Sequence, residues 1–147
     1  MSLSEKYLLS ASFIFLIIGL LTGVWKYYRI ARSKNATAPI YIDIAHRASL
    51  LYSFACLVLS KFASLSVFME EVNAWSALVT IFFFGFAIST YLIHGILEDT
   101  ENQFKSPHLL GKFRIPKWIF HSSMFALIVG ELGGTMILGI GALRSIW

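Results

Sequence analysis

The sequence predicts an all-α protein, an integral membrane four-helix bundle, and three observations lead there. The chain is 57% hydrophobic and 14% charged with a mean hydropathy of +0.72, outside the range of ordinary soluble domains. Four apolar runs, at 7–25, 42–63, 74–97 and 118–143, are each long enough to cross about 30 Å of hydrocarbon at about 1.5 Å per residue. The charges between these runs are sorted by sign, as they are around membrane spans. Backbone groups in lipid must be satisfied within the segment, and the runs lack the strict alternation of a barrel strand, so each is read as a helix. A chain of 147 residues holds one such domain, 1–147.

The first run has Glu5 and Lys6 before it and Lys26, Arg29, Arg32 and Lys34 after it. That order is the reverse of a cleaved signal peptide and points to a retained span with its N-terminus outside. Ser12, Gly19 and Gly23 share a face, and the two glycines have the spacing that lets a neighbouring helix or a flat ligand approach closely. A short basic connection follows and ends at Pro39. Asn35-Ala-Thr37 matches a glycosylation acceptor, but it falls in a loop that the charges place inside and is read as chance.

The second span opens with Asp43, His46 and Arg47 within five residues. His46, Ser49, Ser53 and Ser60 come round to one helical face, which is expected to look into the bundle. Cys56, the single cysteine, excludes an internal disulfide and is read as a small packing residue. Glu70 and Glu71 lie in a short acidic connection on the outer side.

The third span begins near Trp75, an interfacial anchor, and runs through a phenylalanine-rich stretch to His94, with Glu98 one turn beyond. The connection 100–116 carries Lys105, Lys112 and Arg114, and His108 in it is read as an ordinary loop residue. The fourth span starts at Pro116 and Trp118, passes His121, and carries a small-residue stripe of Ser123, Gly130, Gly134 and Gly141. Glu131 flanks that stripe and is the one carboxylate near mid-bilayer. Of the 12 basic residues, nine flank the two connections at one side (Lys26, Arg29, Arg32, Lys34, Arg47, Lys105, Lys112, Arg114, Lys117). This bias places both termini on the outer side of a bacterial cytoplasmic membrane and explains the net charge of +4 without nucleic acid.

With that topology His46, His94 and His121 each lie about one turn from an inner helix end, at similar depth, with Gly19 and Gly23 in the same half. Ionisable residues inside spans are costly and are functional candidates by default. Three readings compete. One or two histidines ligate a haem iron, Arg47 or a loop lysine meets the propionates, and the glycines admit the porphyrin. Alternatively Asp43, His46, His94, Glu98 and His121 bind an iron or zinc ion directly, the D-x-x-H and H-x-x-x-E spacings putting each pair on one face. In the third reading the histidines and Arg47 make interhelical hydrogen bonds and ion pairs with Asp43, Glu98 and Glu131. The aromatic content of 16%, the glycine pair and the neighbouring arginine suit a large flat anionic cofactor better than a bare ion.

A glycine-bearing first span ending in Trp25, a proline-containing connection and Ala45-His46 at the start of the second span resemble the small four-helix haem-b membrane proteins of the styrene oxide isomerase type. The resemblance covers the general layout and rests on Trp25 and Ala45-His46. It implies His46 as axial ligand of haem b, a homotrimer, and ferric iron acting as a Lewis acid on an epoxide; it gives no role to His94, His121 or Arg47.

The expected function is therefore a small haem-b membrane protein performing redox or Lewis-acid chemistry on a small apolar substrate, and, if an enzyme, an isomerase or oxidoreductase. The alternatives are an accessory or structural subunit of a larger membrane complex, a direct metal site, and passage of protons or ions past Glu131 and the serine face of the second span. No nucleophile triad, phosphate loop or cysteine-based metal motif is present. The expected partners are the lipid bilayer and either further copies of the chain or the other subunits of a complex.

Overall fold

The computed structural model describes residues 1–147, and four helices account for most of them: α1 Leu3–Arg32, α2 Ile40–Leu65, α3 Glu70–Leu97 and α4 Lys117–Ile146. All four are long and apolar enough to cross a membrane. They alternate in direction. Arg29 near the end of α1 meets Glu98 at the end of α3, the backbone of Ser4 near the start of α1 meets Glu70 at the start of α3, and Val67 just after α2 bonds the Gly141 carbonyl near the end of α4. One end of the bundle thus gathers both basic connections and is called the basic end below.

The helices outrun the apolar runs because polar residues continue them. α1 adds nearly two turns through Arg32, and Ser2 and Glu5 form a reciprocal capping box at its start. Glu70 is not in a loop: it opens α3 and accepts from Ser4 N–H at 2.6 Å and from Ser4 Oγ at 3.2 Å, joining α1 to α3.

Small residues set the helix approaches, as the sequence faces predict. Ser12 Oγ donates to the Ser53 carbonyl at 2.9 Å and Ser53 Oγ returns a bond to the Ser12 carbonyl at 2.8 Å, clasping α1 to α2. On α4, Gly130 faces Phe83, Gly134 faces Ser76 and Thr80, and Gly141 faces Ser66 and Phe68. The core runs through Leu8, Phe15, Cys56, Leu59, Ala77, Phe84, Ile88 and Leu138. The phenylalanine-rich stretch divides between roles, since Phe84 is buried while Phe82 is exposed with the other outward apolar side chains.

The connection 98–116 contains a small hairpin where the sequence predicts only a loop. β1 Leu109–Leu110 pairs antiparallel with β2 Phe113–Arg114 around Gly111 at φ +61°, a backbone conformation that suits glycine. The connection lies over the end of α3 and the start of α2.

Candidate functional site

The basic end carries a network of ionisable side chains, which divides into separate parts. Asp43 receives Lys26 of α1 at 2.5 Å and Arg47 of its own helix at 2.7 Å. Arg29 pairs with Glu98 at 2.6 Å. α3 ends at Glu98, whose φ of +48° turns the chain away, so Glu98 swings to Arg29 and the next residue, Asp99, takes His94. Neither acid keeps the same-face partnership that the spacing predicts, for Asp43 is bonded to the two cations and Glu98 to Arg29.

The histidines occupy three environments. His46 is half-buried against α1, and its Nδ1 lies 2.7 Å from the Gly19 carbonyl oxygen. A carbonyl only accepts, so Nδ1 carries the proton and Nε2 keeps the lone pair. Nε2 makes no hydrogen bond within the chain and is not enclosed by it. The glycine pair serves this ring: a Cβ on Gly23 would lie 2.8 Å from His46 Cε1, and one on Gly19 would lie 2.6 Å from Leu50 Cδ2. The space that Gly19 and Gly23 open is filled by His46 and Leu50 of the same chain, which leaves no slot for a porphyrin between α1 and α2.

His94 is buried in the last turn of α3. Its Nδ1–H donates to Asp99 Oδ1 at 2.7 Å, and Asp99 Oδ2 accepts from the Gly111 N–H at 2.5 Å, so the carboxylate ties the imidazole to the hairpin. Burial pushes the Asp99 carboxyl up, but the bonds from His94 and Gly111 outweigh it and hold the group below its ordinary value. The Tyr41 ring lies 5.0 Å from the His94 ring, and Tyr41 Oη accepts from the Gln103 N–H at 2.5 Å. His94, Tyr41, Glu98, Asp99, Glu101 and Lys105 help to line an open cleft of about 1010 Å³ between the start of α2 and the connection.

His121 is exposed on α4. Its neighbour is His108, ring centroids 5.9 Å apart, and His108 is itself buried, stacked on Phe120 at 3.9 Å with its Nδ1–H donating to the Gln103 carbonyl at 3.1 Å. The sequence offered no signal for that role except the aromatic cluster around Phe120.

Glu131, midway along α4, accepts from Tyr52 Oη at 3.3 Å, and Tyr52 stacks on Phe84. Nowhere do three or more His, Cys, Asp or Glu side chains converge as a metal site would require. No family model, curated protein or solved structure matches the chain.

Proposed function

We propose that the chain is a small integral membrane protein of the bacterial cytoplasmic membrane, its basic end inside, that binds haem b through His46. The four apolar helices and the nine basic residues gathered at one end support the membrane placement. The observation that carries the haem assignment is the Nδ1–H bond of His46 to the Gly19 carbonyl at 2.7 Å, with Nε2 unpartnered on the surface of a span. An apolar segment gains nothing from an open imidazole nitrogen there, whereas a metal-ligating histidine is typically held in this way by a second-shell acceptor.

The cofactor would rest outside the α1–α2 pair, on the surface to which His46 opens, because the glycine cleft is full. Arg47, with 64% of its side chain exposed, is the residue for a propionate. Haem, if held there by His46, would supply Lewis-acid or redox chemistry on a small apolar substrate. His94, bonded to Asp99, and His121, exposed on α4, are set against different neighbours, so His46 is the one histidine of the three assigned to the cofactor. The test is the visible spectrum of the purified protein. A Soret band that disappears in His46→Ala is expected, and no band in the wild type, or an unchanged one in the variant, overturns the assignment.

A second reading, an accessory subunit of a larger membrane complex, has its own support: Asp43, Glu98 and Asp99 are each paired within the chain. It predicts co-purification at fixed stoichiometry with a larger assembly, unimpaired when His46, His94 and His121 are all replaced.

A further inference from the structure

The cleft between the start of α2 and the connection 98–116 is rich in hydrogen-bond donors that have no acceptor in the chain, while most of its acceptors are spent. α2 has no side-chain cap, and the N–H groups of Ile40 and Tyr41 bond nothing; the first partnered ones are those of Ile42 and Asp43, which share the Pro39 carbonyl. In the connection, Thr100 Oγ1 accepts from the Asn102 N–H and Asn102 Oδ1 from the Phe104 N–H, which leaves the hydroxyl proton and the Nδ2 amide to donate. Lys105 makes no ion pair. Of the lining carboxylates, Glu98 is bonded to Arg29 and Asp99 to His94 and Gly111, so Glu101 alone has no partner.

Exposed donors are satisfied by water and alone would mark nothing. His94 is different. Only 6% of its side chain is exposed, and its Nδ1–H is fixed on Asp99 Oδ1 at 2.7 Å. Nε2 has no partner in the chain, is not enclosed by it, and belongs to a residue that lines the cleft. The Tyr41 ring, 5.0 Å from the His94 ring, sets the imidazole beside the first turn of α2. A buried imidazole oriented by a carboxylate, with its second nitrogen open to a cleft, is placed to meet a ligand atom.

We propose that this cleft binds a phosphate monoester group, with His94 Nε2 on one oxygen and the first turn of α2 and Lys105 serving the others. The ligand must bring an acidic hydroxyl for the Nε2 lone pair and several acceptor oxygens for the surrounding donors. A phosphate monoester brings both, since its second ionisation, at about 6, lies close to that of imidazole at about 6.5. An ionised carboxylate or a sulfate has no such hydroxyl. The proton resides on the phosphate or on Nε2, and no bond to phosphorus forms or breaks. The N-terminus of α2 and the Lys105 ammonium both favour the negative charge. At about 1010 Å³ the cleft has room for the rest of an ester. Its source is a membrane lipid headgroup or a soluble phosphate.

The experiment follows the ring nitrogen signals of His94 by NMR in the full chain, assigned by their loss in His94→Phe. One arm adds inorganic phosphate to the protein in phosphatidylcholine nanodiscs, and the other replaces part of the lipid with phosphatidic acid. A shift of the Nε2 signal is expected, in the first arm for a soluble ligand and in the second alone for a lipid headgroup. Affinity, read from the phosphorus linewidth, is expected to fall by about tenfold or more in His94→Phe and by about two- to fivefold in Lys105→Ala, and to hold in Lys34→Ala, whose cation lies outside the cleft. Lys105 is exposed, so its variant keeps the test where His94→Phe does not fold. An Nε2 signal unmoved in both arms overturns the site, as does affinity unchanged in Lys105→Ala or lowered equally in Lys34→Ala, the mark of surface attraction only. The measurement requires no haem and is repeated on His46→Ala, so its failure is distinct from failure of the haem assignment.

Discussion

His46 and Gly23 occupy one space: the ring of the first lies where a side chain on the second would begin, 2.8 Å from Cε1 to an added Cβ. The ring cannot simply swing aside, because Nδ1–H is bonded to the Gly19 carbonyl at 2.7 Å. Gly23→Ala is therefore expected to break that bond or push α1 from α2, destabilising the protein by roughly 1–3 kcal/mol, the usual cost of overpacking. Unfolding in detergent measures this. In His46→Ala the obstacle is gone, so Gly23→Ala added to it is expected to cost far less, and equal costs in both backgrounds would contradict the packing account.

Adjacent glycines on α4 make a sharper comparison. A Cβ on Gly134 would meet Thr80 Oγ1 and lie 2.6 Å from the Ser76 carbonyl oxygen, and that backbone atom moves only with α3 itself; Gly133 has nothing within 4 Å. Gly134→Ala is expected to destabilise the α3–α4 pair by roughly 1–3 kcal/mol. Gly133→Ala is expected to be neutral or stabilising by up to about 1 kcal/mol through helix propensity. Thermal unfolding of the two variants side by side decides it.

The four helices were legible because long apolar runs dominate the sequence, and the faces built on Ser12, Gly19 and Gly23, and on Gly130, Gly134 and Gly141, were legible because small residues at helical spacing mark close approach. Helix ends were not, since hydropathy falls at Trp25 while the hydrogen-bonded backbone continues to Arg32. The partner of His94 was hidden by the left-handed turn at Glu98, which hands the imidazole to Asp99. Rotation was hidden as well. Three histidines at comparable distances from their helix ends suggested one site, yet His46 lies against α1, His94 against Tyr41 and His121 beside His108.

The Asp99 carboxylate gives the basic end a pH dependence of known sign. Its value is held below the ordinary 3.8 by His94 and Gly111 against the opposing effect of burial. A carboxyl lowered on folding adds stability that is fully present above the unfolded value and is lost as pH falls through the folded one. The stability difference between the wild type and Asp99→Asn is expected to shrink as pH falls below about 4. Limited proteolysis within 98–116 is expected to rise in Asp99→Asn at neutral pH, since the variant loosens the tie between α3 and the hairpin. A stability difference that grows as pH falls below about 4 would contradict this.

Asp43 bridges two cations of unequal standing. Lys26 comes from α1 with 31% of its side chain exposed, whereas Arg47 is on the same helix and 64% exposed. Exposed pairs within a helix contribute little, so Arg47→Ala is expected to change stability by less than about 0.5 kcal/mol. Asp43→Asn removes the tie between α1 and α2 and leaves Lys26 and Arg47 facing each other with no anion between them, and it is expected to cost about 1 kcal/mol, more in low salt than in high. A double-mutant cycle of Lys26→Met with Asp43→Asn should recover most of that loss as coupling. If Arg47→Ala proves the costlier change, Asp43 holds the start of α2 in place through Arg47, and the contact across to α1 is incidental.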